Sequence, residues 1–145
     1  MFGQFRPAWR TLVVGGLFSA TVCGCGGKPW ESVNVAKGVI THKGKPVKDA
    51  EIKLFPVDSE FPESVRPWAK SNENGEFALS TYDRDDGAPT GAYKVTVVHH
   101  EIVVKGESMM AKPNDLPKKY ATKDTTDLTI EIGPGNTTIP PLDLK

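Results

Sequence analysis

Asp86-Gly87-Ala88-Pro89-Thr90-Gly91-Ala92-Tyr93-Lys94-Val95-Thr96-Val97 is the stretch that decides the fold. Its first half is turn chemistry, since Gly and Pro set backbone angles that neither helix nor strand interiors favour. Its second half alternates: Tyr93, Val95 and Val97 fall on one side, Lys94 and Thr96 on the other. Period two over apolar and polar residues marks a strand with one face buried.

The same period recurs on both sides. Upstream, Val33 to His42 reads as a first strand and Lys43-Gly44-Lys45-Pro46 as a turn. Ala50, Ile52 and Leu54 then alternate with Glu51, Lys53 and Phe55 until Pro56. Residues 57–66 read as a loop, and Trp68-Ala69 opens a short third strand. Asn72-Glu73-Asn74-Gly75 is a hairpin signal, because Asn-Gly accepts the positive φ of a tight turn. Phe77 and Leu79 follow on one face. Downstream, Gly106 to Thr125 reads as a long loop with Pro113 and Pro117. It is expected to cover an open sheet edge or to pack through Met109, Met110, Leu116 and Tyr120. Leu128, Ile130 and Ile132 alternate again, Gly133 to Asn136 turns, and Thr137 to Leu144 is a last strand that Pro140-Pro141 confines to an edge.

About seven short strands with no helical pattern predict an all-β fold: a seven-stranded antiparallel β-sandwich over residues 33–145. The expected inward residues are Ile40, Ile52, Leu54, Phe77, Leu79, Tyr93, Val95, Val97, Leu128, Ile130 and Leu142. With 14 Gly and 12 Pro among 145 residues, the composition fits a turn-rich chain. Two Cys, at positions 23 and 25, exclude a disulfide-rich scaffold. Eighteen basic residues against eighteen acidic ones argue against a nucleic-acid partner.

The start of the chain has a different composition. Residues 1–10 carry Arg6 and Arg10 and no acid, and an apolar run from Thr11 to Val22 follows. That run is shorter than the ~20 residues a spanning helix needs, so the pattern is that of a secretory signal. Val22-Cys23-Gly24-Cys25 resembles a bacterial lipobox. The resemblance implies cleavage before Cys25 and acylation of its thiol with diacylglycerol, palmitate among the acyl chains. Residues 1–24 are then a lipoprotein signal peptide and 25–32 a tether. Two or more acyl chains hold a protein firmly to a bilayer, so the expected address is the cell envelope, anchored to a membrane and facing periplasm or exterior. Cleavage removes two bases and no acid, which leaves the mature chain a net charge of −2.

Gly38-Val39-Ile40-Thr41, Gly44-Lys45-Pro46-Val47, Ala50-Glu51-Ile52, Asn74-Gly75-Glu76-Phe77 and the Asp86–Val97 phrase stand in a recognisable order. Together they resemble the carboxypeptidase regulatory-like, or transthyretin-like, domain, and in particular small lipoproteins of that type from planctomycete bacteria. Leu116-Pro117-Lys118-Lys119-Tyr120 and the Gly-Pro-Gly-Asn stretch ending at Asn136 fit the same pattern. The resemblance implies a prealbumin-like sandwich. It implies no chemistry, because fold does not carry function.

Candidate sites are few. Asp83, Asp85 and Asp86 put three carboxylates in one loop, a possible calcium set, although Arg84 competes for them and the spacing is not that of an EF-hand. The competing reading is a solvated turn whose Asp side chains bond nearby amides. His99-His100-Glu101 offers metal-ligand types, but neighbours on a strand face opposite sides. Lys37 and Asn136 are the imaginable pair for an isopeptide bond, which would need a buried acid between them. The Tyr-Arg-Gly-Ser ending of the hydroxyisourate-hydrolysing enzymes of this fold is absent, and no phosphate loop or nucleophile–base arrangement is legible. No catalysis and no cofactor are expected. Trp68 and Tyr82 are the candidate binding surface.

The leading expectation is therefore a lipid-anchored envelope module with a structural or binding role. Its expected partners are the membrane, through the lipid, and an envelope protein or polysaccharide. The alternative is a carbohydrate-binding or calcium-dependent accessory domain, with Trp68 or Tyr82 stacking on sugar.

Overall fold

The computed structural model describes residues 28, 30 and 32–145. The expected signal peptide, the lipobox-like stretch and Cys25 lie outside the described residues. Among those described, eleven strands and one short 3-10 turn, Lys118–Tyr120, form the fold. The chain is all-β, as the alternation predicts, and has more and shorter strands than the expected seven.

One sheet is built around β1 (Ala36–His42). A two-residue turn at Lys43-Gly44, both with positive φ, folds β2 (Lys45–Pro46) back onto its end. β5 (Glu76–Ala78) pairs antiparallel with its first half. On the other side lie β10 (Thr137–Thr138) and β11 (Leu142–Leu144). The second sheet has the order β4 (Trp68–Lys70), β3 (Glu51–Pro56), β6 (Gly91–Val98), β9 (Thr129–Ile132), all antiparallel. Ile40, Phe77, Leu142 and Leu144 from the first sheet meet Ile52, Leu54, Val95 and Ile132 from the second in one buried core. Packing two apolar faces together is what makes the sheets a sandwich.

β6 sits at the centre, as its sequence predicts. Tyr93, Val95 and Val97 are fully buried, while Ala92 and Lys94 are exposed. The Tyr93 hydroxyl donates to the Pro89 carbonyl at 2.8 Å, which gives the buried ring a partner for its polar end. Burial holds this phenol well above the ordinary tyrosine range. Gly87 is required where it stands: its φ is 100°, and a Cβ there would lie 1.8 Å from the Asn34 carbonyl oxygen. That close approach lets Asn34 and Ala88 exchange backbone hydrogen bonds of 2.8 and 3.0 Å.

Three expectations are corrected. First, β10 and β11 run parallel to β1, so the sandwich is not purely antiparallel. The Asn34 side-chain oxygen accepts the Gly135 amide at 2.7 Å. That contact admits the chain at the starting end of β1, from which it can only run alongside. Pro140-Pro141, lacking amide hydrogens, divides this last stretch in two. Second, the Asn72–Gly75 turn joins strands of different sheets. β4 pairs with β3 and β5 with β1, and only Trp68 and Ser80 bridge across. The turn itself forms as expected: the Asn72 side-chain oxygen accepts the amides of Asn74 and Glu76. Third, residues 106–125 are not one loop. β7 (Ile102–Lys105) and β8 (Ser108–Ala111) make a hairpin that, among the described residues, pairs only with itself. Met109 and Met110 are exposed on it, whereas Leu116 and Tyr120 are buried as expected. The segment that follows covers the half of β6 that β9 leaves open: Thr126 Oγ1 donates to the Val95 carbonyl at 2.7 Å, and Asn114 accepts the His99 amide.

The expected inward set is correct in every member but one. Leu128 is only half-buried, packed against the core from its margin. Ile132, Ile139, Leu144 and Tyr120 belong to the core as well.

Candidate functional site

The bridge between Trp68 and Ser80 places the site. Each amide donates to the other's carbonyl, at 2.9 and 2.8 Å, which locks the edge of the second sheet to the chain leaving β5. Trp68 lies on β4 between buried Pro67 and buried Ala69, so its own side chain points outward and is 52% exposed. Tyr82 follows two residues after the bridge and is 58% exposed.

The loop that carries Tyr82 is held by one carboxylate. Asp86 Oδ1 accepts the Thr81 amide at 2.7 Å, and Oδ2 accepts the amides of Tyr82 and Asp83 at 3.0 and 2.9 Å. Ser80 Oγ accepts the Asp85 amide at 2.8 Å, and Thr81 Oγ1 donates to the Gly87 carbonyl at 2.6 Å. The Tyr82 hydroxyl donates to the Trp30 carbonyl. Trp30 in turn packs on Phe61, whose ring stands edge-on to Tyr93. The loop, Trp30 and the central strand are thus tied together at this end of the sandwich.

The three aspartates do not converge. Asp86 points its oxygens at backbone amides, and Asp85 lies 3.7 Å from Arg84 Nε. Among the described residues no three His, Cys, Asp or Glu side chains come together to hold a metal ion. The Asp86 carboxylate makes the arrangement an amide-capped turn. His99 and His100 likewise part: His99 Nδ1 is 2.8 Å from Asp115 and His100 Nδ1 is 3.0 Å from the Lys112 carbonyl. Lys37 and Asn136 are both exposed, and no acid is buried among the described residues, so the environment for an isopeptide bond is lacking.

Trp68, Tyr82 and Asp83–Asp85 do share one concavity, of about 1190 Å³, which continues over the outer face of the first sheet. Its floor consists of the outward residues of three adjacent strands: Lys37 and Val39 on β1, Glu76 and Ala78 on β5, and Thr138 beside β1. Pro141, Lys70 and Arg84 complete the lining. Lys70 is 3.1 Å from Asp49, and Asn72 Nδ2 donates to Glu76 Oε2 at 2.9 Å. The two aromatic residues were legible in the sequence. The floor was not: Lys37 and Thr138 are 101 positions apart, and only the parallel pairing of β1 with β10 brings them side by side.

No protein-family description matches the chain, and no curated protein matches it in sequence. Among solved structures it is similar to a 9R-lipoxygenase from Cyanothece (18% identity, TM-score 0.40), with 81% of this chain and 17% of that one covered. It is also similar to a Pseudomonas aeruginosa protein for which carbohydrate binding is suggested (11% identity, TM-score 0.43; 81% and 90% covered). A third is a DUF3823 family protein from Parabacteroides merdae (12% identity, TM-score 0.44; 79% and 46% covered). The chain thus spans about a sixth of the lipoxygenase and under half of the DUF3823 protein. Likeness at this level says nothing about chemistry.

Proposed function

We propose that this protein is a lipid-anchored module of the cell envelope that binds a partner through the groove on its first sheet and performs no catalysis. The observation that carries the reading is the pairing of an outward Trp68 with Tyr82 on the wall of one broad concavity. Ligand sites are concave and lined predominantly by hydrophobic and aromatic side chains. The sandwich is of the prealbumin, carboxypeptidase regulatory-like type. In support, the phrases that carry that resemblance sit at its corners: Asp86 caps the loop, Gly87 meets Asn34, and Pro89 accepts the Tyr93 hydroxyl.

The anchor is the lipobox cysteine, Cys25, after removal of residues 1–24. Intact-mass measurement of the protein extracted from membranes tests it. The expected mass exceeds that of residues 25–145 by a diacylglyceryl group or more, and Cys25→Ser moves the chain to the soluble fraction. An unmodified mass, or a Cys25→Ser chain that stays in the membrane fraction, contradicts the anchor.

A further inference from the structure

Resting on that reading, we infer that the groove holds an uncharged glycan chain. Three observations lead there. The first concerns hydrogen bonding. β1 is paired on both sides along the floor, with Lys37 level with Ala78 on one side and Thr138 on the other. β1, the middle strand of the floor, therefore offers no free edge to which a peptide can add by main-chain pairing. Recognition there has to come from side chains.

The second concerns surface chemistry. Val39, Ala78 and Pro141 are small apolar patches set between Lys37, Glu76 and Thr138. A sugar ring has the matching character, with an apolar face of C–H groups and a rim of hydroxyls that both donate and accept. The exposed indole of Trp68 and phenol of Tyr82 give flat apolar faces on which such rings stack.

The third concerns charge. Lys37, Lys70 and Arg84 around the groove are balanced by Glu76, Asp83 and Asp85. Several are already paired, Lys70 with Asp49 and Arg84 with Asp85. A uronate or sulfate chain would meet as many acids as bases, whereas hydroxyls bond to either sign. The groove is open along the sheet, which suits a chain of several rings.

The test is affinity electrophoresis of the full chain in mild detergent, through gels containing uncharged β-glucan or xylan and, separately, acidic pectate or alginate. The expected result is retardation by an uncharged polysaccharide. Trp68→Ala weakens it at least tenfold, Tyr82→Ala weakens it less, and Trp68→Phe retains part of it. Circular dichroism verifies that each variant is folded. Retardation only in acidic gels, or retardation that Trp68→Ala leaves unchanged, overturns the glycan assignment. Absence of retardation in every gel also overturns it. A photo-crosslinking residue at position 138 then separates the two readings: an adduct formed in the envelope keeps the groove as a binding surface, and no adduct removes that as well.

Discussion

The sandwich and the β7–β8 hairpin are both built of paired strands but differ in what those strands bury. In β6 the inward residues Tyr93, Val95 and Val97 meet a second sheet and are fully buried. In the hairpin Val104 and Met109 stand opposite one another on one face, and nothing among the described residues covers them: they are 63% and 78% exposed. Paired strands form in both places, but only a facing sheet turns the pairing into stability. An isolated two-stranded hairpin is marginal in water. This one is held at its base, where Asp115 lies on His99 and the Lys112 amide donates to the Glu101 carbonyl.

The largest effect belongs to the core. Leu54→Ala removes a fully buried side chain and is expected to destabilise the fold by about 3 kcal/mol. Urea denaturation of the full chain measures it, and a loss under about 1 kcal/mol would erase the contrast with the hairpin.

Next comes the capped loop. Asp86→Ala strands three backbone amides and is expected to cost about 2 kcal/mol. It also frees Tyr82 from its position, so it weakens ligand binding without touching the groove floor. Equal binding by Asp86→Ala and wild type would show that Tyr82 needs no such support.

A smaller effect attends Tyr93. Tyr93→Phe removes the bond to Pro89 and is expected to cost about 1 kcal/mol at neutral pH. Its pH dependence has a definite sign. Because the folded-state value is raised, the folded chain holds this proton more tightly than the unfolded one. The contribution is complete below the ordinary tyrosine range of about 10 and is lost as pH rises above it. Wild type therefore loses stability in alkali more steeply than Tyr93→Phe, and parallel alkaline curves would contradict the burial argument.

Smallest of all is the hairpin. Val104→Ser and Met109→Ser are expected to change stability by no more than about 0.5 kcal/mol. Hydrogen exchange should show the amides of residues 102–111 opening well before those of β3 and β6. Comparable protection in the two regions would mean that the hairpin is covered in solution.

The sequence was informative where structure is local. Period two placed β3, β6 and β9 and nearly all of the core, and the Gly and Pro phrases placed the corners. Its silence begins where contacts are distant in the chain. Nothing local to Thr137–Leu144 says that it runs parallel to β1. That follows from the Gly135 contact with Asn34, across 101 positions. The Asn72–Gly75 turn was legible, but the parting of its two strands into different sheets depends on β3 and β1 competing for them. The same limit applied to the site. Trp68 and Tyr82 could be named as candidates, but their exposure is a finding of the structure, and the floor they overlook is assembled by that distant pairing.

The central claim, that the groove and not the hairpin is the binding surface, is tested most directly by paired crosslinking of the lipidated full chain in its own envelope. One chain carries a photo-crosslinking residue at Thr138 on the groove floor, the other at Met109 on the hairpin. The account predicts a glycan-containing adduct from position 138 and none from position 109. An adduct from position 109 alone would contradict it.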